Sequence, residues 1–183
     1  SDTLPKDLWV SRVIASQHKK ERVYVTLNGY RWDNFKVYVY MSNDYGQTWK
    51  DISSNIPSSP VNVIKEGPLK ENLLYLGTDN GAYVTFNMGK SWEAFSNGLP
   101  NVAVHDMVIQ PEAKDLLTGT HGRSIYKTNI EALQTIDVEK VTDDITFLDV
   151  ESVKHSGSWG SAWSPWFDAF EPETTINFFS KSA

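Results

Sequence analysis

Three aspartates are the side chains of this sequence best suited to catalysis. Asp33 and Asp79 fall in short polar segments, and Asp106 lies near the start of an apolar run. Cleavage of a glycosidic bond needs two carboxylates that face each other across the sugar, one as acid and one as base or nucleophile. The spacing of these three residues does not establish such a pair, so they are weak catalytic candidates.

The segment "NGYRWDNF" at 28–35 is the best candidate for ligand binding. Tyr30 and Trp32 offer flat faces that stack on sugar rings, and Arg31 and Asp33 add a cation and a carboxylate beside them. The alternative is a loop whose aromatic side chains pack on neighbouring structure while Arg31 and Asp33 form a surface ion pair. Both interpretations stay open at the level of sequence.

A second candidate is the glycine-containing segment "HGR" at 121–123. His121 and Arg123 would orient an anionic or hydroxylated ligand, or Arg123 would instead pair with Asp79. The four histidines, at positions 18, 105, 121 and 155, lack metal-ligand spacing. We therefore predict no metal site and no cofactor.

Composition narrows the class of protein. The formal net charge is −6 and no run of lysine and arginine occurs, which argues against nucleic acid as a partner. No apolar run is long enough to span a membrane. The chain has no cysteine, 13% aromatic residues and many glycine, asparagine and aspartate residues, a balance that favours β-structure with many turns.

The sequence repeats itself with a period of roughly 40–50 residues. "SNDYGQTW" at 42–49 returns as "TFNMGKSW" at 85–92, and Gly77-Thr78 returns as Gly119-Thr120. An apolar residue followed by proline precedes each unit, at positions 4, 56 and 99. This period is typical of four-stranded β-propeller blades.

The predicted fold is therefore all-β, with about three blades of a six- to eight-bladed ring. The blades cover about residues 4–56, 57–99 and 100–134, and residues 135–183 form an extended, aromatic-rich tail. The third blade lacks an outer strand after Tyr126, where "NIEALQT" predicts one helical turn, and "DITFLDVESV" (144–153) is a candidate replacement. Three blades cannot close a ring, so we expect either a piece of a longer protein or self-association.

The tail contains Trp159, Trp163, Trp166, Phe167 and Phe170 among glycine, serine and proline. Proline and glycine interrupt every helical period there. We expect an extended segment that buries its aromatic side chains in apolar grooves, since full exposure would favour aggregation. A platform for carbohydrate is the alternative.

The repeated segment at 42–49 resembles the Asp-box, or bacterial neuraminidase repeat. The matching residues are Ser42, Asp44, Gly46 and Trp49 in the first copy and Thr85, Asn87, Gly89 and Trp92 in the second. In that family the motif joins the third and fourth strands at the rim of a blade, away from the ligand face. Asparagine in the second copy accepts hydrogen bonds but cannot shuttle a proton, so we interpret both copies as structural turns.

Residues 4–134 as a whole resemble sortilin-like propellers and putative glycosyl hydrolases of bacteria. The resemblance implies a secreted, periplasmic or cell-surface protein and a carbohydrate or protein ligand. We expect a non-catalytic propeller segment that acts as a scaffold and recognition surface. The alternative is part of the active-site propeller of a glycoside hydrolase, of xyloglucanase or sialidase type, that further blades complete.

Overall fold

The computed structural model describes residues 4–137, 144–150, 152–162, 164–174 and 176–180. Trp163 of the aromatic tail lies outside these residues. The chain divides into two compact units, Ser1–Gln134 and Thr135–Ala183. The described residues contain one α-helix, α1 (Glu131–Thr135), which is the single turn predicted after the third repeat.

The first unit consists of three antiparallel sheets that follow one another along the chain. The first sheet contains β1 (Trp9–Ala15), β2 (Val23–Gly29), β3 (Asn34–Ser42) and β4 (Lys50–Asp51). The second contains β5 (Val61–Glu66), β6 (Leu74–Thr78), β7 (Gly81–Thr85) and β8 (Glu93–Ala94). The third contains β9 (Val104–Gln110), β10 (Asp115–Thr120) and β11 (Ile125–Asn129). Each strand pairs with its neighbour in sequence, which confirms the predicted all-β fold of four-stranded blades.

The sheets stack face to face, and their apolar residues fill two layers. The layer between the first and second sheets buries aromatic and aliphatic side chains, namely Tyr24, Val39, Met41, Ile52, Ile56, Val61, Ile64, Leu74, Leu76 and Trp92. The layer between the second and third sheets buries Val63, Leu73, Tyr75, Ala82, Val84, Val104, Met107, Leu116 and Ile130. The second sheet is thus covered on both faces, which explains why β6 is an almost uninterrupted apolar run.

The third sheet has three strands in the described residues, in the order β11-β10-β9. The segment proposed as its fourth strand instead forms β12 (Ile145–Val150), which pairs with β13 (Ile176–Ser180) in a separate two-stranded sheet. The prediction of a replacement outer strand was therefore wrong.

The second unit exposes its aromatic side chains. Hydrogen bonds from Gly160 N to Phe170 O (2.9 Å) and from Phe170 N to Ser161 O (3.3 Å) close a loop. Trp166 within that loop is 92% exposed, and Phe167 is also largely exposed. These side chains are not buried within the second unit itself, and their burial in apolar grooves of another domain stays a prediction.

A buried carboxylate joins the first two sheets at the end opposite the 29–33 loop. Glu66, at the end of β5, is only 3% exposed. It accepts hydrogen bonds from Tyr24 Oη (2.9 Å), Ser16 Oγ (2.8 Å) and Gln17 N (2.7 Å). Burial, together with the negative charge of Glu66, raises the pKa of Tyr24 well above its usual range. These bonds fix the relative positions of β2 and β5, since a buried charge must be fully hydrogen-bonded.

The two copies of the repeated turn, residues 42–49 and 85–92, share three equivalent hydrogen bonds. In the first turn, Ser42 Oγ accepts from Gly46 N (2.8 Å), and Asp44 Oδ1 accepts from Ser42 Oγ (2.7 Å) and Thr48 N (2.9 Å). In the second, the corresponding bonds are Gly89 N to Thr85 Oγ1 (3.0 Å), Thr85 Oγ1 to Asn87 Oδ1 (2.8 Å) and Ser91 N to Asn87 Oδ1 (2.9 Å). Gly46 and Gly89 have φ values of 84° and 78°, in the left-handed region that favours glycine.

The tryptophans that follow the two turns differ in burial. Trp92 is 2% exposed, and its Nε1 donates to Ile52 O at 2.7 Å, which links the second sheet to the first. Trp49 packs on Val25, Leu27 and Tyr40, on the face of the first sheet that no other sheet of this unit covers, and it is only partly buried. The same motif therefore buries its tryptophan fully only where a neighbouring sheet is present.

Replacement of Gly77 by alanine is expected to destabilise the first unit. A Cβ at Gly77 would lie 2.6 Å from both Val63 Cγ1 and Val104 Cγ1, and both valines are fully buried. Because the second and third sheets meet here, we expect a loss of about 1–3 kcal/mol in the free energy of unfolding, measured by urea denaturation. Gly119 occupies the matching position of β10, and its Cβ would meet only Asp106 O, at 3.6 Å. Gly119→Ala is the control and should be nearly neutral; equal losses in both variants would contradict this account of the sheet contact.

The first turn should also make stability depend on pH. Hydrogen bonds from Thr48 and Ser42 hold the pKa of Asp44 at about 2, below its ordinary value of 3.8. Because the folded-state pKa is the lower one, the stabilisation is complete above about pH 4 and is lost as pH falls toward 2. We expect Asp44→Asn to remove this part of the pH dependence of Tm between pH 2 and 5.

The second turn provides the reciprocal test. Asn87→Asp should introduce an acid-dependent change of the same sign, since the Ser91 and Thr85 donors match Thr48 and Ser42. A pH profile that is the same for the wild type and both variants would contradict the assignment of these hydrogen bonds.

Candidate functional site

The loops that join the second strand to the third in each sheet lie at one end of the sheets, with the segments that connect one sheet to the next. We call this end the candidate face. Asp79 N donates to Pro60 O at 3.0 Å, and His121 N donates to Ala103 O at 2.9 Å. In the first sheet, Ser58 Oγ donates to Phe35 O at 2.7 Å. These bonds attach each loop to a connecting segment and so place all the sequence-predicted site residues at one end.

The first strand of each sheet (β1, β5 and β9), which we call the inner strand, contains a β-bulge next to the candidate face. The register breaks between Val10 and Arg12 in β1, between Val61 and Val63 in β5, and opposite Gly119–Thr120 in β9. The extra residues are Ser11, Asn62 and His105, which are equivalent in the three repeats. A bulge re-aims a side chain and is common next to binding sites.

Asn62, the bulged residue of β5, connects neighbouring sheets through polar contacts. Asn62 Nδ2 donates to Asp79 Oδ1 (2.8 Å) and to Val104 O (3.2 Å). Asn28 Nδ2, from the first sheet, donates to Asn62 Oδ1 (3.2 Å). Asn28 and Asn62 thus link the first sheet to the third beneath the candidate loops.

The predicted segment at 28–35 forms a pocket together with β1. Residues Tyr30–Trp32 make a short 3-10 turn, which Asn28 begins by accepting a hydrogen bond from Tyr30 N at 3.0 Å. Trp9 lies against this turn, with its ring centroid 6.2 Å from that of Trp32. Trp9, Tyr30 and Trp32 are each about half exposed, at 55%, 50% and 54%. They surround a cavity of about 140 Å³ that Val10, Ser11, Asn28 and Arg31 also line.

Arg31 is held by aromatic rings. Its guanidinium carbon lies 4.6 Å from the centroid of Trp9 and 5.8 Å from that of Tyr30, and its Nε donates to Tyr30 Oη at 3.2 Å. Cation–π contacts of this kind restrain the side chain without neutralising its charge. No ion pair joins Arg31 to Asp33 within the described ranges.

The three candidate carboxylates are held in different ways. Asp33 ends the 3-10 turn with a left-handed φ of 54° and is exposed. Asp79 accepts the hydrogen bond from Asn62, and Asp106 Oδ1 pairs with Arg12 Nη2 at 2.8 Å. Arg12 and Asp106 belong to the first and third sheets, so this pair bridges over the second. Each aspartate belongs to a different sheet, and two of the three already bind a polar side chain.

The second candidate segment is exposed at the tip of the third sheet. The rings of His121 and His105 lie 5.4 Å apart, between centroids. Arg123 is exposed, and the part of the chain that the structure describes contains no ion pair between it and Asp79. These residues do not line the aromatic pocket.

The sequence did not indicate three residues of the candidate face: Trp9, Arg12 and Asn62. They lie in strands, whereas the predicted candidates other than Asp106 lie in loops. Alignment of the inner strands of the three repeats would have shown that Ser11, Asn62 and His105 share one position. Within the described residues, no group of three or more metal-binding side chains occurs, and no helix has the length and apolarity to cross a membrane.

Comparison with solved structures shows that this chain is similar to several β-propeller enzymes. An ancestral GH74 enzyme has a TM-score of 0.51 at 20% identity, with 62% of this chain covered. The GH74 enzyme of Niastella koreensis has a TM-score of 0.53 at 18% identity, with 66% of this chain covered. The GH74 xyloglucanase of Xanthomonas campestris has a TM-score of 0.50 at 13% identity, with 76% of this chain covered. The chain spans only 14%, 21% and 24% of those chains, respectively. At such identities the likeness shows the propeller fold alone.

A search of curated protein sequences finds no match. A family model does match, however. The model described as "Sortilin-Vps10: Sortilin, neurotensin receptor 3," covers residues 37–146, from the third strand of the first sheet to beyond the third sheet. Because this match spans more than half of the 183 residues and agrees with the stacked four-stranded sheets, the chain belongs to the Sortilin-Vps10 family.

Proposed function

We propose that this chain is a non-catalytic propeller segment of a larger secreted bacterial protein and that it binds carbohydrate. The main support is the pocket at the candidate face, where Trp9, Tyr30 and Trp32 stay about half exposed around one cavity. Large aromatic side chains at the end of a well-packed sheet remain exposed at a cost unless a ligand covers them. The proposal therefore assigns these three rings to a ligand.

The chemistry of the pocket suits a sugar. Pyranose rings have apolar C–H faces that stack on aromatic side chains and hydroxyl groups that need hydrogen-bonding partners. Ser11 and Asn28 provide hydroxyl and amide groups at the floor of the cavity. The hydrogen bonds of Asn28 to Tyr30 N and Asn62 hold the turn and the floor in place before a ligand arrives.

The carboxylates support binding rather than hydrolysis. A glycosidase requires a free acid and a free base or nucleophile on opposite sides of one bond. Asp106 is paired with Arg12, Asp79 is bonded to Asn62, and of the three only Asp33 adjoins the aromatic turn. The two repeated turns, 42–49 and 85–92, are proposed to be Asp-boxes with a purely structural role, at the end of the sheets away from the pocket.

We expect Trp32→Ala to weaken binding of the 183-residue chain to its best ligand from a panel of soluble oligosaccharides. Loss of one stacking face should cost about 1.4 kcal/mol, or about tenfold in Kd, measured by isothermal titration calorimetry. Tyr45→Ala is the matched control, because Tyr45 is 70% exposed but lies in the first repeated turn. Equal losses in both variants, or no binding to any member of the panel, would contradict the proposal.

Hydrolysis is the competing outcome. The same panel should be incubated with the chain and with Asp33→Asn, Asp79→Asn and Asp106→Asn, and reducing ends counted. We expect no turnover. Turnover that one of these substitutions abolishes would establish the alternative, in which the chain is part of a glycoside hydrolase active site.

A further inference from the structure

Arg31 is a preorganised cation without an anion. Its guanidinium lies over the ring of Trp9, and its Nε is engaged by Tyr30 Oη. Among the described residues, no carboxylate forms an ion pair with it and no acceptor bonds its two terminal nitrogens, although Asp33 lies only two residues away. The other arginines of the first sheet differ, because Arg12 pairs with Asp106 and Arg22 pairs with Glu71.

The contacts that Arg31 already makes leave only its two terminal nitrogens to bind a ligand. With Nε in use, the terminal Nη1 and Nη2 remain as a planar, end-on pair of donors. Such a pair matches the two oxygens of a carboxylate, which it binds through two parallel charge-assisted hydrogen bonds. The stacking on Trp9 and the bond to Tyr30 restrict the rotation of the side chain, so little conformational entropy is lost when an anion binds.

We propose that the ligand of this pocket is an acidic sugar, a pyranose that bears a carboxylate. The aromatic rings would stack on the sugar while Arg31 Nη1 and Nη2 bind its carboxylate. This inference rests on the proposed function, since it names the class of carbohydrate. The formal net charge of −6 gives the chain no general attraction for polyanions. Any preference for an acidic sugar over a neutral one must therefore come from Arg31 itself.

The test compares uronate oligosaccharides with their own carboxyl-reduced forms. Galacturonate, glucuronate and mannuronate oligomers are each titrated into the 183-residue chain beside the same oligomer with its carboxyl groups reduced to hydroxymethyl groups. For at least one pair we expect the acidic form to bind about tenfold more tightly, the low end for charge-assisted hydrogen bonds. A sulfated, carboxyl-free oligomer on the same backbone should bind less tightly than the uronate, since the single charge of a sulfate ester is spread over three oxygens and each is a weaker acceptor than a carboxylate oxygen.

Two variants locate the effect. Arg31→Gln should bring the affinities for the acidic and reduced forms to within about twofold of each other while binding of the reduced form persists. Lys36→Gln is the matched control, because Lys36 is an exposed cation of β3 that does not line the pocket. It should leave the preference for the acid unchanged.

The outcomes separate the two proposals. If both members of a pair bind with equal affinity, or if Lys36→Gln removes the preference as fully as Arg31→Gln does, the assignment of an acidic ligand is overturned and carbohydrate binding stands. If neutral oligosaccharides bind and no uronate does, the same conclusion follows. If no oligosaccharide of either kind binds, the proposed function itself is overturned.

Discussion

The stacking of one sheet face on the next is the constraint on which the first unit depends. A four-stranded sheet with two apolar faces cannot remain in water, and the second sheet is stable because the first and third cover it. The contact is close enough that Gly77 has no room for a methyl group between Val63 and Val104. Where the polar network of Glu66 lies between sheets, every partner comes from the adjacent sheet or its loops.

This stacking also positions the candidate site. Because the sheets are fixed face to face, the equivalent bulges of β1, β5 and β9 all lie at one end of the unit. Asn62 can bond to both neighbouring sheets only in that arrangement. The pair between Arg12 and Asp106 likewise forms only when the third sheet lies at its observed distance from the first.

The aromatic pocket shows how a repeated fold acquires a specific site. The loop after the second strand is the short "DNG" turn in the second repeat and "HGR" in the third, but in the first repeat it contains a 3-10 turn with two aromatic residues and an arginine. The scaffold stays the same while one loop supplies the chemistry. This chain shares the propeller fold with GH74 enzymes at 20% identity or less, and that likeness does not identify its ligand.

The sequence by itself determined the period of the repeat, the all-β fold of its units and the equivalence of the two turns that contain Asp44 and Asn87. These are local properties, since apolar periodicity and turn chemistry act within a few residues. Only the tertiary structure decided that Trp9 joins Tyr30 and Trp32, that Arg31 stacks rather than pairs with Asp33, and that β12 pairs with β13. The contacts of Trp9 and the pairing of β12 with β13 join residues far apart in the chain. Arg31 has more than one nearby side chain with which it could interact. The packing of whole sheets decides which of these contacts form, and a short stretch of sequence does not determine that packing.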